Sequence, residues 1–171
     1  MSKRGTSSPG WSGWLTLTLL ALLVSISGCA SKEPKPVALK STLTAAADLN
    51  PNRNDTPQPV KVHIYQLKQD EAFRQAPFRT LISAPDQALG PDLLRHVETL
   101  IGPSESQPLD NQLEPETSFV GIVAEFTRIE NASWRAIAEI PKKSLGKRLN
   151  PFSDQRLTIE LAATQVQATF E

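Results

Sequence analysis

Few residues in this chain of 171 are of a type and in a setting that could do chemistry. Cys29 is the only cysteine, and it directly follows Ile26-Ser27-Gly28 at the end of an apolar run. With no second cysteine it has no disulfide to make. His63 and His96 are the only histidines and stand far apart in sequence. Metal sites and nucleophile–base pairs announce themselves by short spacings or set motifs. No H-x-x-x-H occurs, and no G-x-S-x-G, P-loop or G-x-G-x-x-G. Beyond residue 28 the four glycines, Gly90, Gly102, Gly121 and Gly146, are isolated. Nothing marks a pair of carboxylates for glycoside chemistry. The histidines therefore read as surface or partly buried side chains, His63 on the polar side of one strand and His96 beside another. No catalytic residue is expected.

The setting of Cys29 is more informative. Lys3 and Arg4 give a positive start, and Trp14 to Ile26 is apolar apart from Thr16, Thr18 and Ser25. That run is about thirteen residues, short of the ~20 that span a bilayer, and has the length of a signal-peptide core. The ending resembles a bacterial lipoprotein signal, in which the chain is cut before the cysteine and the new N-terminal cysteine is lipidated. On that resemblance residues 1–28 are a removed signal peptide, and Cys29 carries covalent lipid, palmitate among its acyl chains. A single chain holds a membrane only marginally, with a partition constant of about 10⁴ M⁻¹; the three chains of such lipoproteins hold it permanently. The next residue is Ala30, not the Asp that commonly retains these proteins at the inner membrane. The expected location is the inner leaflet of a Gram-negative outer membrane, facing the periplasm. Residues 29–36 form a tether, extended by Pro34 and Pro36, and reach at most ~27 Å from Cys29 to Val37.

The elements that remain must form one domain, 37–171. Residues 29–171 number 143, enough for a true core, and carry sixteen Lys+Arg against eighteen Asp+Glu, a net −2. Such a balance gathers no nucleic acid. Partial alternation predicts strands at Val37–Ala46, Val60–Tyr65, Leu94–Ile101, Trp134–Ile140, Leu157–Leu161 and Val166–Phe170. Val60, Val62 and Ile64 alternate with Lys61, His63 and Tyr65, the pattern of a half-buried strand. Phe119–Phe126 is apolar on both sides except at Glu125, as a doubly covered strand would be. Between 70 and 90 lie short helices. Asp70 is placed to cap the first through its carboxylate, Phe73 and Ala76 share a face, and Pro77 restarts the run toward Leu81 and Ile82. Ser106–Pro115 reads as polar loop. The predicted class is mainly β, a two-sheet sandwich of seven strands with a helical insertion. Trp134 is read as core filler. Lys142, Lys143, Lys147 and Arg148 are read as a solvated loop, with lipid or partner contact as the alternative.

Several segments in order resemble the TssJ family, the outer-membrane lipoproteins of type VI secretion systems. Asp48-Leu49-Asn50-Pro51 matches a D-x-N-P element, and Pro59 to Leu67 matches a P-v-x-v-x-i-y-q-L strand. Phe73, Ala76, Phe78 and Leu81 match F-x-x-A-x-F-x-x-L. Val123-Ala124-Glu125-Phe126 and Trp134-Arg135 match the later strands. Gly102-Pro103-Ser104-Glu105 departs from the family's P-G-E and puts that turn's geometry in question. The resemblance implies a transthyretin-like β-sandwich without enzymatic activity. It implies a protein partner, the periplasmic C-terminal domain of the inner-membrane protein TssM, tied through this lipoprotein to the outer membrane. It assigns the contact to the loop between the first two strands, here Asp48, Leu49, Asn50, Pro51, Asn52, Arg53, Asn54 and Asp55. Within that loop Leu49 is either a contact or a staple onto the core, and Asn52, Arg53 and Asn54 are the better candidates for exposed contact. Neither a cofactor nor a metal is expected, and no small-molecule substrate; the one added group is the lipid on Cys29. The alternative reading is another periplasm-facing binding lipoprotein on the same sandwich, an envelope assembly chaperone or a small-ligand binder, since a fold does not fix a function.

Overall fold

Alternating apolar residues build two four-stranded sheets. The computed structural model describes residues 37–141 and 156–171. The signal segment, Cys29, the tether and the basic cluster Lys142, Lys143, Lys147 and Arg148 lie outside the described residues. Those described belong to the compact unit Pro34–Glu171. Its strands are β1 (Val37–Ala45), β2 (Val60–Leu67), β3 (Leu93–Ile101), β4 (Ser106–Leu113), β5 (Phe119–Ala124), β6 (Arg135–Glu139), β7 (Arg156–Leu161) and β8 (Val166–Phe170). Three short helices follow β2: α1 (Glu71–Gln75), α2 (Phe78–Ser83) and α3 (Pro85–Leu89). The sheets run β4-β1-β7-β8 and β3-β2-β5-β6. β1 pairs parallel with β7, and every other strand pair is antiparallel. The predicted β-sandwich with a helical insertion is the observed architecture.

Between the sheets lies a core of Leu39, Leu43, Val62, Ile64, Ile122, Leu157 and Ile159, with further apolar neighbours. A second apolar cluster sits on the outer face of the β3-β2-β5-β6 sheet, where Tyr65, Leu67 and Val123 meet Phe73, Leu81 and Leu89 of the helices. This double cover corrects the half-buried reading of β2. All its residues except Lys61 are buried, because the helices cover the side that alternation left to solvent. One polar residue crosses the interior. Gln66 donates to the Gln112 carbonyl of β4 at 2.7 Å and accepts from the Glu114 amide at 2.8 Å and the Thr117 hydroxyl at 3.2 Å. A buried amide must find such partners, and here they lock the two sheets in register.

Other expectations change too. Ser106–Pro115 is not a loop: Ser106–Leu113 forms β4, which brings the described strands to eight. Among the described residues it is an edge strand paired only with β1, so Pro108 removes no ladder bond that a second described neighbour needs. Of its described inward residues, Leu113 is buried and Leu109 is partly so, too sparse a pattern to read. Asp70 does not cap α1 with its side chain; its carboxylate takes the Arg74 Nε–H at 2.6 Å instead. Trp134 is only partly buried and packs edge-on to Phe78, ring centroids 5.1 Å apart.

Two devices hold the helices to the sheet. Gly121 of β5 lies under the Phe73 ring, and a Cβ there would fall 2.7 Å from Phe73 Cζ. Arg135 of β6 donates to the carbonyls of Phe73 at 2.7 Å and Ala76 at 2.5 Å, and also to that of Arg74. These are carbonyls at the end of α1, which want donors and favour a cation. The guanidinium lies 4.3 Å from the Trp134 ring centre, and burial lowers its pKa. Gly121→Ala is expected to overpack this slot and destabilise the domain by about 1–3 kcal/mol. Urea unfolding measures the loss, and adding Phe73→Leu should recover part of it.

Candidate functional site

The connections β1–β2, β3–β4, β5–β6 and β7–β8 meet at one end of the sandwich. There the β1–β2 loop has an inner and an outer half. Leu49 is fully buried and Asn50 nearly so. Leu49 therefore staples the loop to the core, and of its two readings only this one fits its burial. Asn50 adopts a left-handed backbone, φ 48°, which Asn tolerates better than most residues. Its side chain donates to the Pro59 carbonyl at 2.9 Å and accepts from the Thr127 amide at 2.7 Å. Its own amide donates to Ala163 of the β7–β8 turn at 2.8 Å. One residue thus ties three connections together, which gives the D-x-N-P element its physical reason.

The outer half closes on itself. Asn52 Oδ1 accepts from the amides of Asn54 at 2.8 Å and Thr56 at 3.1 Å, the side-chain-to-backbone pattern that fixes a turn. The Asn52 amide donates to the Thr56 carbonyl at 2.9 Å, and Asp55 holds φ 55°. Arg128, from beyond β5, reaches over to the Asn52 carbonyl and pairs with Asp55 at 2.9 Å. Arg53, Asn54, Asp55, Thr56 and Pro57 remain exposed, as does Asp48, while Pro51 and Asn52 are half-buried. So the structure separates the eight sequence-predicted residues: Leu49 and Asn50 hold the loop, and Arg53, Asn54 and Asp55 form its exposed apex. Arg128 escaped sequence reading, since nothing local links it to a loop seventy-odd positions earlier. The neighbouring turn is orderly despite its permuted motif. Glu105 returns its carboxylate to the Gly102 amide at 2.8 Å, and Ser104 takes the left-handed position at φ 62°.

A polar cluster lies beside this end, on the outer face of β2 and β3. His63 stands directly opposite Glu98 in the ladder, and His96, opposite Tyr65, is two pairs further along and on the same face. Same-face neighbours of that kind meet. His63 is 1% exposed, which corrects its reading as a residue on the solvent side. Its Nε2 lies 2.7 Å from Glu125 Oε1, and its Nδ1 lies 3.1 Å from His96 Nε2. Lys61 bridges Glu98 and Glu125 at 3.4 and 3.6 Å. Burial, then the neighbouring His63, lowers the His96 pKa. Desolvation alone would raise Glu98, but the Lys61 hydrogen bond and the nearby His63, Lys61 and His96 outweigh it and hold the carboxyl below its ordinary value. Lys61 is raised by its bond to Glu98 and by both carboxylates. Tyr65, stacked on His96 at 4.6 Å and donating to the Leu81 carbonyl, is raised by burial first and then by Glu98 and Glu125.

The described residues match known secretion proteins. The family described as "Type VI secretion lipoprotein, VasD, EvfM, TssJ, VC_A0113" matches residues 37–164. Among solved structures, the type VI secretion lipoprotein TssJ1 of Pseudomonas aeruginosa is 27% identical, with a TM-score of 0.69, covering 80% of this chain and 97% of that one. Serratia marcescens Lip, a membrane-bound component of the type VI secretion system, gives 20% identity and a TM-score of 0.69 over 78% and 96%. A chain in a structure described as the type VI protein TssM C-terminal domain from EAEC gives 22% identity and a TM-score of 0.60 over 77% and 96%. No curated protein matches the chain. Asn50→Ala is expected to cost about 1–3 kcal/mol of stability, whereas Asn50→Gly, which accepts the positive φ, should cost less. Comparing the two by urea unfolding separates backbone strain from lost hydrogen bonds.

Proposed function

Since the chain belongs to the type VI secretion lipoprotein family of TssJ, we propose that it is the lipid-anchored tie between the outer membrane and the secretion apparatus. The family is a structural component of that apparatus and not an enzyme family. On this reading residues 1–28 are removed, Cys29 carries the acyl chains, and the domain faces the periplasm. The partner is the periplasmic C-terminal domain of TssM. A structure described by that domain's name contains a chain of this fold, as does one described as a type VI membrane complex.

The observation that carries the reading is the preorganised β1–β2 apex. Its shape is set before any partner arrives, so little order is lost on binding. Arg53, Asn54 and Asp55 offer a cation, an amide and an anion to a partner, with Pro57 beside them. The position of the loop suits the task. The chain enters the domain at Val37, and the nine residues of β1 carry it about 26 Å to the other end before the loop begins. A tether joining at Val37 therefore leaves the apex at the opposite end of β1.

Two measurements test this. Cys29→Ser is expected to leave a folded protein that no longer fractionates with the outer membrane and no longer supports secretion; normal secretion by that variant overturns the anchoring role. Arg53→Glu with Asn54→Ala should weaken binding to purified TssM C-terminal domain at least tenfold, as loss of a charged contact and its neighbour implies. Its melting temperature should stay unchanged. Unaltered affinity in calorimetry removes the apex from the interface.

A further inference from the structure

The cluster beside the loop has the makings of a metal site. Glu125 has no proton to give when ionised, so the 2.7 Å contact to His63 Nε2 places the ring proton on Nε2. With the ring neutral, that tautomer turns the lone pair of Nδ1 toward His96 Nε2, 3.1 Å away. Glu98 Oε1 lies 3.5 Å from that same Nδ1. Without a metal ion the His96 Nε2–H serves Nδ1; once that proton moves to His96 Nδ1, both ring nitrogens and the Glu98 oxygen offer lone pairs to one point. Lys61 pairs with Glu98 and Glu125 at 3.4 and 3.6 Å.

We propose that His63 Nδ1, His96 Nε2 and a Glu98 carboxylate oxygen bind a divalent transition-metal ion of the Zn²⁺ class. The three ligand atoms lie within 4.8 Å of one another. Bonds of about 2.0–2.1 Å in a tetrahedron put ligand atoms roughly 3.3 Å apart, close to the 3.1 and 3.5 Å of the two contacts at Nδ1. Two imidazoles and a carboxylate suit Zn²⁺, with water as the fourth ligand. Glu125 is a positioning residue. Its bond to Nε2–H fixes the tautomer and aim of His63, as carboxylates behind metal-bound histidines do. Binding moves the His96 proton from Nε2 to Nδ1 and tilts that ring off the line of its present hydrogen bond. Glu98 is 46% exposed, so packing does not fix its carboxylate in one place. The ion clips β2 to β3 and sits next to the base of the β1–β2 loop. Around it stand Lys61, His63 and Tyr65 from β2, His96 and Glu98 from β3, Glu125 from beyond β5, and Asp86 from α3.

The test uses the untagged full chain in detergent, carrying Cys29→Ser so that no thiol contributes, titrated with Zn²⁺ alone by calorimetry. One equivalent should bind. Saturation at about a hundred times Kd should raise the melting temperature on the order of 5 °C. Co²⁺ should give the visible absorption of a tetrahedral site. His96→Ala and Glu98→Ala, both at partly or well exposed positions, should each lose at least tenfold in affinity, and Glu125→Gln about tenfold. Lys61→Met should bind more tightly, because a like charge is gone. No binding at about 100 µM Zn²⁺, or binding that His96→Ala and Glu98→Ala leave intact, overturns the site and leaves the hydrogen-bonded chain Glu125–His63–His96 as its whole content.

Discussion

β2 has protein against both of its faces, and most of the structure answers to that. Toward the inside, Val60, Val62 and Ile64 pack against the facing sheet. Toward the outside, Tyr65 and Leu67 need a roof, and the three short helices supply it. Helices of five or six residues are too short to stand alone in water, so the roof exists only because the sheet holds it. Phe73 is driven into the slot above Gly121, and the Arg135 guanidinium gathers the carbonyls at the end of α1. The helices cover the strand, and the strand's neighbours in turn order the helices. Neither half of this arrangement has a reason to form without the other.

The same two-sided burial explains what the sequence made legible. Strands β1, β5, β7 and β8 have one pattern each, alternating or wholly apolar, and they read correctly. In β2 alternation gave the inward face and hid the outer one, because His63 and Tyr65 look like solvent-side residues until the helices and β3 are set against them. β4 was lost for another reason. An edge strand needs few apolar side chains and tolerates Pro108, so its polar sequence is indistinguishable from a loop. The helical insertion was visible, but Asp70 turned from the expected cap to Arg74, one turn along the same helix. The candidate loop was read as a unit from its turn-forming residues. Its division into a buried base and an exposed apex was not readable, since the partners that decide it, Thr127, Arg128 and Ala163, come from connections distant in the chain.

That division has a consequence for recognition. An isolated segment with the sequence of residues 46–59 would sample many shapes and lose that freedom on binding. Here the apex is closed by Asn52 within the loop and by Arg128 from outside it, while Asn50 fixes the base. The binding-competent shape belongs to the folded domain and not to the segment. A change in the β5–β6 connection can therefore alter the apex without touching it, and damage to the β7–β8 turn reaches it through the Asn50 amide.

The histidine cluster fits the same logic of one end built from several strands. Glu125 leaves β5 just before Thr127 and Arg128 reach the loop, so the segment that orients His63 also holds the apex. Lys61 is the second residue of β2, close to where the loop ends, and its carbonyl takes the Glu125 amide at 2.9 Å. A cation clamped between β2 and β3 would draw Glu98 inward and compete with Lys61 for it. Lys61 would then be left to Glu125, and the charge pattern at the foot of the loop would shift by a side chain's length. Residues 125–128 thus contact both the cluster and the loop apex. A partner gripping the apex and an ion gripping β2 and β3 would each stabilise the same arrangement of that stretch, and by linkage each would favour the other.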